Sequence, residues 1–81
     1  MQITVRYFAQ LKDQFGKDAE IRELAEGNHV GDLLEVLFPN PDERQKMQKY
    51  LRVAVNQEYS STSQRLNDGD EVVFIPPVAG G

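Results

Sequence analysis

Cysteine is absent from all 81 residues. That excludes disulfide staples, thiolate metal clusters, iron–sulfur centres and cysteine nucleophiles. Histidine is nearly absent: His29 is alone, which leaves no second imidazole for a His-rich metal site or a proton relay. Long apolar runs are missing, so no segment reads as a membrane span. The opening residues, Met1 to Arg6, have none of the basic, apolar and small-residue zones of a secretory signal, and a cytoplasmic location is expected. Positive charge is in deficit, with nine Lys and Arg against thirteen Asp and Glu and a net charge of −4. A free-standing nucleic-acid binder of this size is normally basic, so that class is disfavoured. No internal repeat or low-complexity tract interrupts the chain.

What remains is the composition of one small folded domain, with 40% hydrophobic and 27% charged residues. Gln2 to Tyr7 alternates, with Ile3, Val5 and Tyr7 on one face, and reads as a half-buried strand. From Phe8 the period changes. Phe8, Leu11 and Phe15 share one face of a short helix, and Gly16 suits the left-handed position past its end. Asp18 to Ala25 fits neither period well and is assigned as a strand. Val30, Leu33, Leu34 and Leu37 form an apolar helical stripe, capped by Asn28 or His29, with Asp32 in the first turn and Pro39 as the stop. Asn40-Pro41-Asp42-Glu43 resembles a capping box and opens a shorter helix to about Lys49. Leu51 to Asn56 alternates as a strand, and the polar stretch Gln57 to Gln64 has room for a short strand near Tyr59. Asn67-Asp68-Gly69-Asp70 is a turn launching the apolar run Glu71 to Ile75, expected to be a strand buried on both faces. This order fits an α+β domain. The first and last strands pair side by side at the sheet centre, with the Val30–Leu37 helix across one face.

The final residues stand apart. Residues 1–75 are expected to form the domain and 76–81 an extended tail. Pro76 and Pro77 cannot donate to a strand ladder, so pairing stops there. Six residues extend about 20 Å at roughly 3.3 Å each. Side chains shrink along the thread, from Val78 through Ala79 to Gly80 and Gly81. With glycine near 7% of residues, a terminal Gly-Gly arises by chance in roughly half a percent of chains. Coupled to a stiff double proline, it points to a carboxyl terminus shaped to enter a narrow channel. A lone carboxylate is inert, but adenylation makes it an acyl electrophile, open to a sulfur donor or an amine. On that reading, catalytic side chains belong to partner enzymes.

The stretch Asp68 to Gly81 closely resembles the end of the molybdopterin synthase small subunits (MoaD), a ubiquitin-like sulfur-carrier family. Similar matches occur in Arg52-Val53-Ala54-Val55-Asn56-Gln57-Glu58, in the opening Val5 to Lys12, and in Val30-Gly31-Asp32-Leu33-Leu34. The terminal motif is specific; the helical one is generic. The resemblance implies a β-grasp, ubiquitin-like mixed sheet with helices packed on one face. It implies a subunit that is not an enzyme by itself and binds no cofactor or metal of its own. A MoeB-like adenylyltransferase activates the Gly81 carboxylate with ATP and Mg, and a sulfur donor converts it to a thiocarboxylate. The tail enters the large subunit (MoaE-like), where sulfur passes to cyclic pyranopterin monophosphate to form the molybdopterin dithiolene. The implied site residues are Gly81, which carries the sulfur, and Gly80, which lets it reach. The implied partner-binding residues are Phe8, Lys12, Ile75, Pro76, Pro77, Val78 and Ala79. The family's usual assembly, a heterotetramer of two small and two large subunits, is also implied. His29, Lys12 and Ile75 replace the more usual threonine, arginine and aromatic; the last two bear on partner affinity.

Other features read more plainly as structure. Phe8 fits the core and a partner contact equally well. His29 reads as a helix-start residue. Asp68, Asp70 and Glu71 read as a solvated turn, since full EF-hand spacing is absent. Arg44, Lys46, Lys49 and Arg52 read as the solvated face of the short helix. Three other functions compete: a ThiS-type carrier of thiamine biosynthesis, a ubiquitin-like protein modifier, and a plain interaction module with an inert tail.

Overall fold

The computed structural model describes residues 1–76. The elements run β1 (Gln2–Tyr7), α1 (Gln10–Phe15), β2 (Ala19–Glu23), α2 (Val30–Leu37), α3 (Pro41–Tyr50), β3 (Arg52–Val55), β4 (Glu58–Ser60) and β5 (Glu71–Ile75). The sheet order is β2-β1-β5-β3-β4. β5 lies parallel to β1 and antiparallel to β3; the two outer pairs are antiparallel, β3–β4 joined by a tight turn and β1–β2 through α1. The first and last strands are therefore neighbours at the sheet centre, as their apolar character predicts. This is the β-grasp arrangement.

One sheet face is covered. Ile3, Val5 and Tyr7 of β1, Val53 and Val55 of β3, and Val72 and Phe74 of β5 join Val30, Leu33, Leu34 and Leu37 of α2 in a single apolar core. Each such side chain contributes roughly 1.5–3 kcal/mol on burial. α2 starts where the stripe predicts. His29 is the N-cap, and the Asp32 carboxylate accepts its backbone N–H at 2.9 Å. The α2 N–H groups of Val30 and Gly31 donate to the carbonyls of Gln64 and Thr62. α3 starts on Asn40, whose side-chain oxygen accepts from the N–H groups of Asp42 and Glu43. The reciprocal carboxylate-to-cap bond expected at Glu43 belongs instead to Asp32.

Three expectations are corrected. Phe8 is not in the first helix. Ala9, with φ 51° and ψ −124°, turns the chain between β1 and α1, so helical periodicity begins only at Gln10. Leu11 and Phe15 face inward, with Phe15 stacked on Tyr7 at 4.4 Å, whereas Phe8 is 51% exposed. The acidic turn is not simply solvated. Asp70 is buried, and its carboxylate accepts from the Asn56 side chain at 2.9 Å and the Asn67 N–H at 2.8 Å. Gly69, at φ 85°, supplies the positive dihedral that this turn requires. The basic strip also divides. Arg44 is half-buried and donates to the Phe38 carbonyl at 3.2 Å, while Arg52 lies on β3.

Candidate functional site

β5 delivers the chain's last residues from the middle of the sheet. Ile75 is its final residue, and register sets it beside Arg52 of β3. On the other side Phe74 pairs with Tyr7, the last residue of β1, so Phe8 follows at the rim where β5 ends. Pro76 is buried and brings no N–H to either neighbour, so the ladder stops. The exit is thus flanked by Phe8 on one side and by Arg52 on the other.

Among the described residues no helix covers the face opposite α2, although Val73 and Ala54 on it are buried. Thr4 and Arg6 of β1, Val73 and Ile75 of β5, Arg52 and Ala54 of β3, and Tyr59 of β4 share it, because residues paired in register point the same way. Tyr59 is 72% exposed, and the Arg52 guanidinium carbon lies 6.0 Å from its ring centroid. Arg6 donates to the Glu71 carboxylate at 2.8 Å. That bond, and the attraction behind it, raises the Arg6 pKa. Below the exit, Arg6, Tyr7, Phe8, Ala9, Lys12 and Asp18 line a shallow groove. Lys12 reaches Asp18 at 2.8 Å and is held more firmly protonated by that hydrogen bond. The result is an apolar rim carrying cations at its edges.

Of the residues expected at a partner surface, Phe8, Lys12, Ile75 and Pro76 surround one end of the sheet. Phe8 and Lys12 are exposed, and Ile75 is half-buried. Pro77, Val78, Ala79, Gly80 and Gly81 lie outside the described residues. Arg52 and Tyr59 join the same surface; sequence patterning alone puts Arg52 in a solvated basic strip and Tyr59 in a short strand, and neither at a partner surface. The signal was the pair Asn56-Gln57. With φ values of 52° and 71°, it closes a tight hairpin that sets Tyr59 opposite Ala54. Among the described residues, no group of His, Asp or Glu side chains is placed to hold a metal ion. None of their helices is long and apolar enough to cross a membrane.

Comparison with known proteins agrees with this geometry. The model of the ThiS family matches residues 5–81. A molybdopterin synthase sulfur carrier subunit from Chlamydomonas reinhardtii is 39% identical over 83 residues, covering 100% of both chains. Among solved structures, a putative molybdopterin converting factor subunit 1 from Pyrococcus furiosus superposes with a TM-score of 0.77 at 32% identity, covering 96% of this chain and 99% of that one. The fold also matches a chain in a complex of subunits 1 and 2 of the molybdopterin-converting factor from Helicobacter pylori, with a TM-score of 0.69, 23% identity and 100% coverage of both. The family model spans all but the first four residues, and the chain belongs to the ThiS family.

Proposed function

We propose that this chain is the sulfur-carrier small subunit of molybdopterin synthase, with Gly81 as the carrying residue. The observation that carries the reading is the small-residue sequence Val78-Ala79-Gly80-Gly81, which follows in the chain a central strand whose last residue, Ile75, sits beside Arg52. The full-length likeness to subunits of that name supports it.

The chemistry follows from a carboxylate that must be activated. A carboxylate oxygen of Gly81 attacks the α-phosphorus of ATP on a MoeB-like adenylyltransferase; pyrophosphate leaves and an acyl-adenylate forms. Sulfide-level sulfur attacks the acyl carbon, AMP leaves and a thiocarboxylate remains; where the donor is a persulfide, a second thiol cleaves the resulting acyl disulfide and is itself oxidised to a disulfide with the donor. The tail enters the MoaE-like large subunit and gives its one sulfur to cyclic pyranopterin monophosphate; the acyl–sulfur bond breaks, Gly81 is left as a carboxylate, and two charged chains in turn supply the two sulfurs of the molybdopterin dithiolene. This chain binds neither ATP nor Mg; both belong to the activating enzyme. Catalytic side chains belong to the large subunit, and the location is cytoplasmic. Gly80 lets the terminus approach backbone closely. Phe8, Lys12, Ile75, Pro76, Pro77, Val78 and Ala79 form the docking surface, with the exposed Phe8 as an aromatic anchor that docking buries and a charge contact at Lys12.

Reconstitution tests this reading. Thiocarboxylated chain, large subunit and cyclic pyranopterin monophosphate yield the dithiolene product, and a chain lacking Gly81 yields none. Equal product from the truncated chain would overturn it. A thiazole precursor accepting the sulfur in place of the pterin moves the assignment to a thiamine-type carrier. Higher-mass conjugates lost with Gly81 move it to a protein modifier.

A further inference from the structure

β2 is an edge strand, and among the described residues no strand pairs with its outer side. Which of its backbone groups face outward follows from the pairing with β1. Met1 and Leu24 exchange both backbone bonds, at 2.8 and 2.9 Å, and the Tyr7 N–H donates to the Asp18 carbonyl at 2.8 Å. Antiparallel bonds alternate along a strand, so Asp18, Glu20, Arg22 and Leu24 turn their backbone groups toward β1. Ala19, Ile21 and Glu23 turn theirs outward, where no backbone group among the described residues pairs with them.

We infer that this edge is a self-association surface, and that its partner is β2 of a second copy, run antiparallel about a two-fold axis through Ile21. In that register Ile21 pairs with Ile21, and Ala19 pairs with Glu23 of the other copy. Every one of these residues is outward-facing, so each pair exchanges both of its backbone bonds. Side chains match as well. Ile21 is 63% exposed on the face opposite α2 and meets its own copy across the axis. On the covered face Glu20 stands opposite Arg22, and the symmetry repeats that ion pair. The buried Arg22 Nε faces Glu20 Oε1 of its own chain at 3.1 Å, so the reach across the axis falls to the outer nitrogens of the part-exposed guanidinium.

Charge also selects the register. Sliding the second strand by two residues one way sets Glu20 against Glu20, and the other way sets Arg22 against Arg22. Like charges directly opposite are destabilising. Edge strands usually carry charge that blocks pairing. The order Glu20-Ile21-Arg22 instead complements itself. The contact is isologous and closes at two copies. β1 separates β2 from β5, so the exit at Ile75 and the β3–β4 half of the sheet stay uncovered. The inference does not depend on what the tail carries.

Sedimentation equilibrium of the full chain, up to about 1 mM where weak association registers, is one arm of the test. Amide hydrogen exchange by NMR at low and high concentration is the other. A monomer–dimer equilibrium is expected. The amides of Ala19, Ile21 and Glu23 gain protection as concentration rises, while those of Glu20 and Arg22 stay protected throughout. Ile21→Lys places two ammonium groups on the axis and weakens association at least about tenfold. At concentrations low enough for the chain to be monomeric it leaves the thermal midpoint unchanged, because the side chain is exposed. Arg22→Glu weakens association too, by opposing Glu20 with a second carboxylate. A chain that stays monomeric throughout overturns the inference. So does a dimer whose Ile21 amide exchanges freely, or one unaffected by Ile21→Lys.

Discussion

Ala9 occupies φ 51° and ψ −124°, a region that glycine enters freely and other residues enter at a cost. Such strain costs about 1–3 kcal/mol and persists only where its surroundings enforce it. Here it turns Phe8 outward while leaving Leu11 buried. Ala9→Gly is expected to raise stability by up to about 1 kcal/mol in urea unfolding, the relief of strain exceeding the freedom that glycine adds to the unfolded chain. A loss of stability would show that the turn is not strained. Phe8→Ala separates fold from docking. With half its surface exposed, Phe8 contributes under about 1 kcal/mol to folding, while binding to the large subunit, read by calorimetry, weakens at least about tenfold. Glu20 belongs to another residue-scale device. Burial pushes its carboxyl up, but the Tyr7 hydroxyl, Arg22 and Lys17 outweigh burial and leave its pKa below the ordinary value. Burial, then the Glu20 carboxylate, pushes the Tyr7 hydroxyl well above its own range. A depressed carboxyl stabilises the fold above its unfolded value, near 4.5, and loses that contribution as pH falls through the lower folded value. Glu20→Gln therefore flattens the acid limb of a stability–pH curve. An unchanged limb would assign it to other carboxylates.

At the scale of elements the two longer helices differ in what holds them. α2 inserts Val30, Leu33, Leu34 and Leu37 into the core, whereas α3 buries no residue completely and leans on the half-buried Arg44 and Met47. Leu33→Ala is expected to cost about 2–5 kcal/mol in chemical denaturation. Val36→Ala, on the exposed side of the same helix, stays within about 0.5 kcal/mol. The same contrast governs what the sequence reveals. The α2 stripe is legible because a helix buried on one side must repeat its apolar residues at that spacing. β1 and β5 are legible because central strands are apolar on one or both faces. β2 is faint because it is an edge strand whose one large apolar residue, Ile21, faces solvent between Glu20 and Arg22. Phe8 misleads because it falls in step with Leu11 and Phe15, and periodicity does not register a single positive φ at Ala9. Asp70 misleads for another reason. Its burial depends on Asn56, which is distant in sequence and reaches it only once the β3–β4 hairpin has closed on β5.

At the scale of the whole molecule, the strand that precedes the tail lies at the sheet centre. β5 is flanked by β1 and β3, so the strand that precedes the tail is the hardest to detach, while the rim around Ile75 stays open to a partner. The terminal motif was legible because small residues and prolines are unusual together. The surface around it was only partly so, because Arg52 and Tyr59 join Phe8 and Ile75 through long-range strand register. A net charge of −4 favours encounter with a basic cleft, an effect that salt weakens. The central claim is that the Gly81 carboxylate carries sulfur. It is tested most directly by intact mass and fragmentation of the protein from its native host after treatment with a thiol alkylator. With no cysteine in the chain, a thiocarboxylate is its strongest soft nucleophile. Fragmentation must locate the adduct, because oxidation of Met1 or Met47 adds nearly the same mass as exchanging oxygen for sulfur. The account predicts one adduct, at Gly81. An unmodified Gly81, even after incubation with the adenylating enzyme, ATP and a sulfur source, would contradict it.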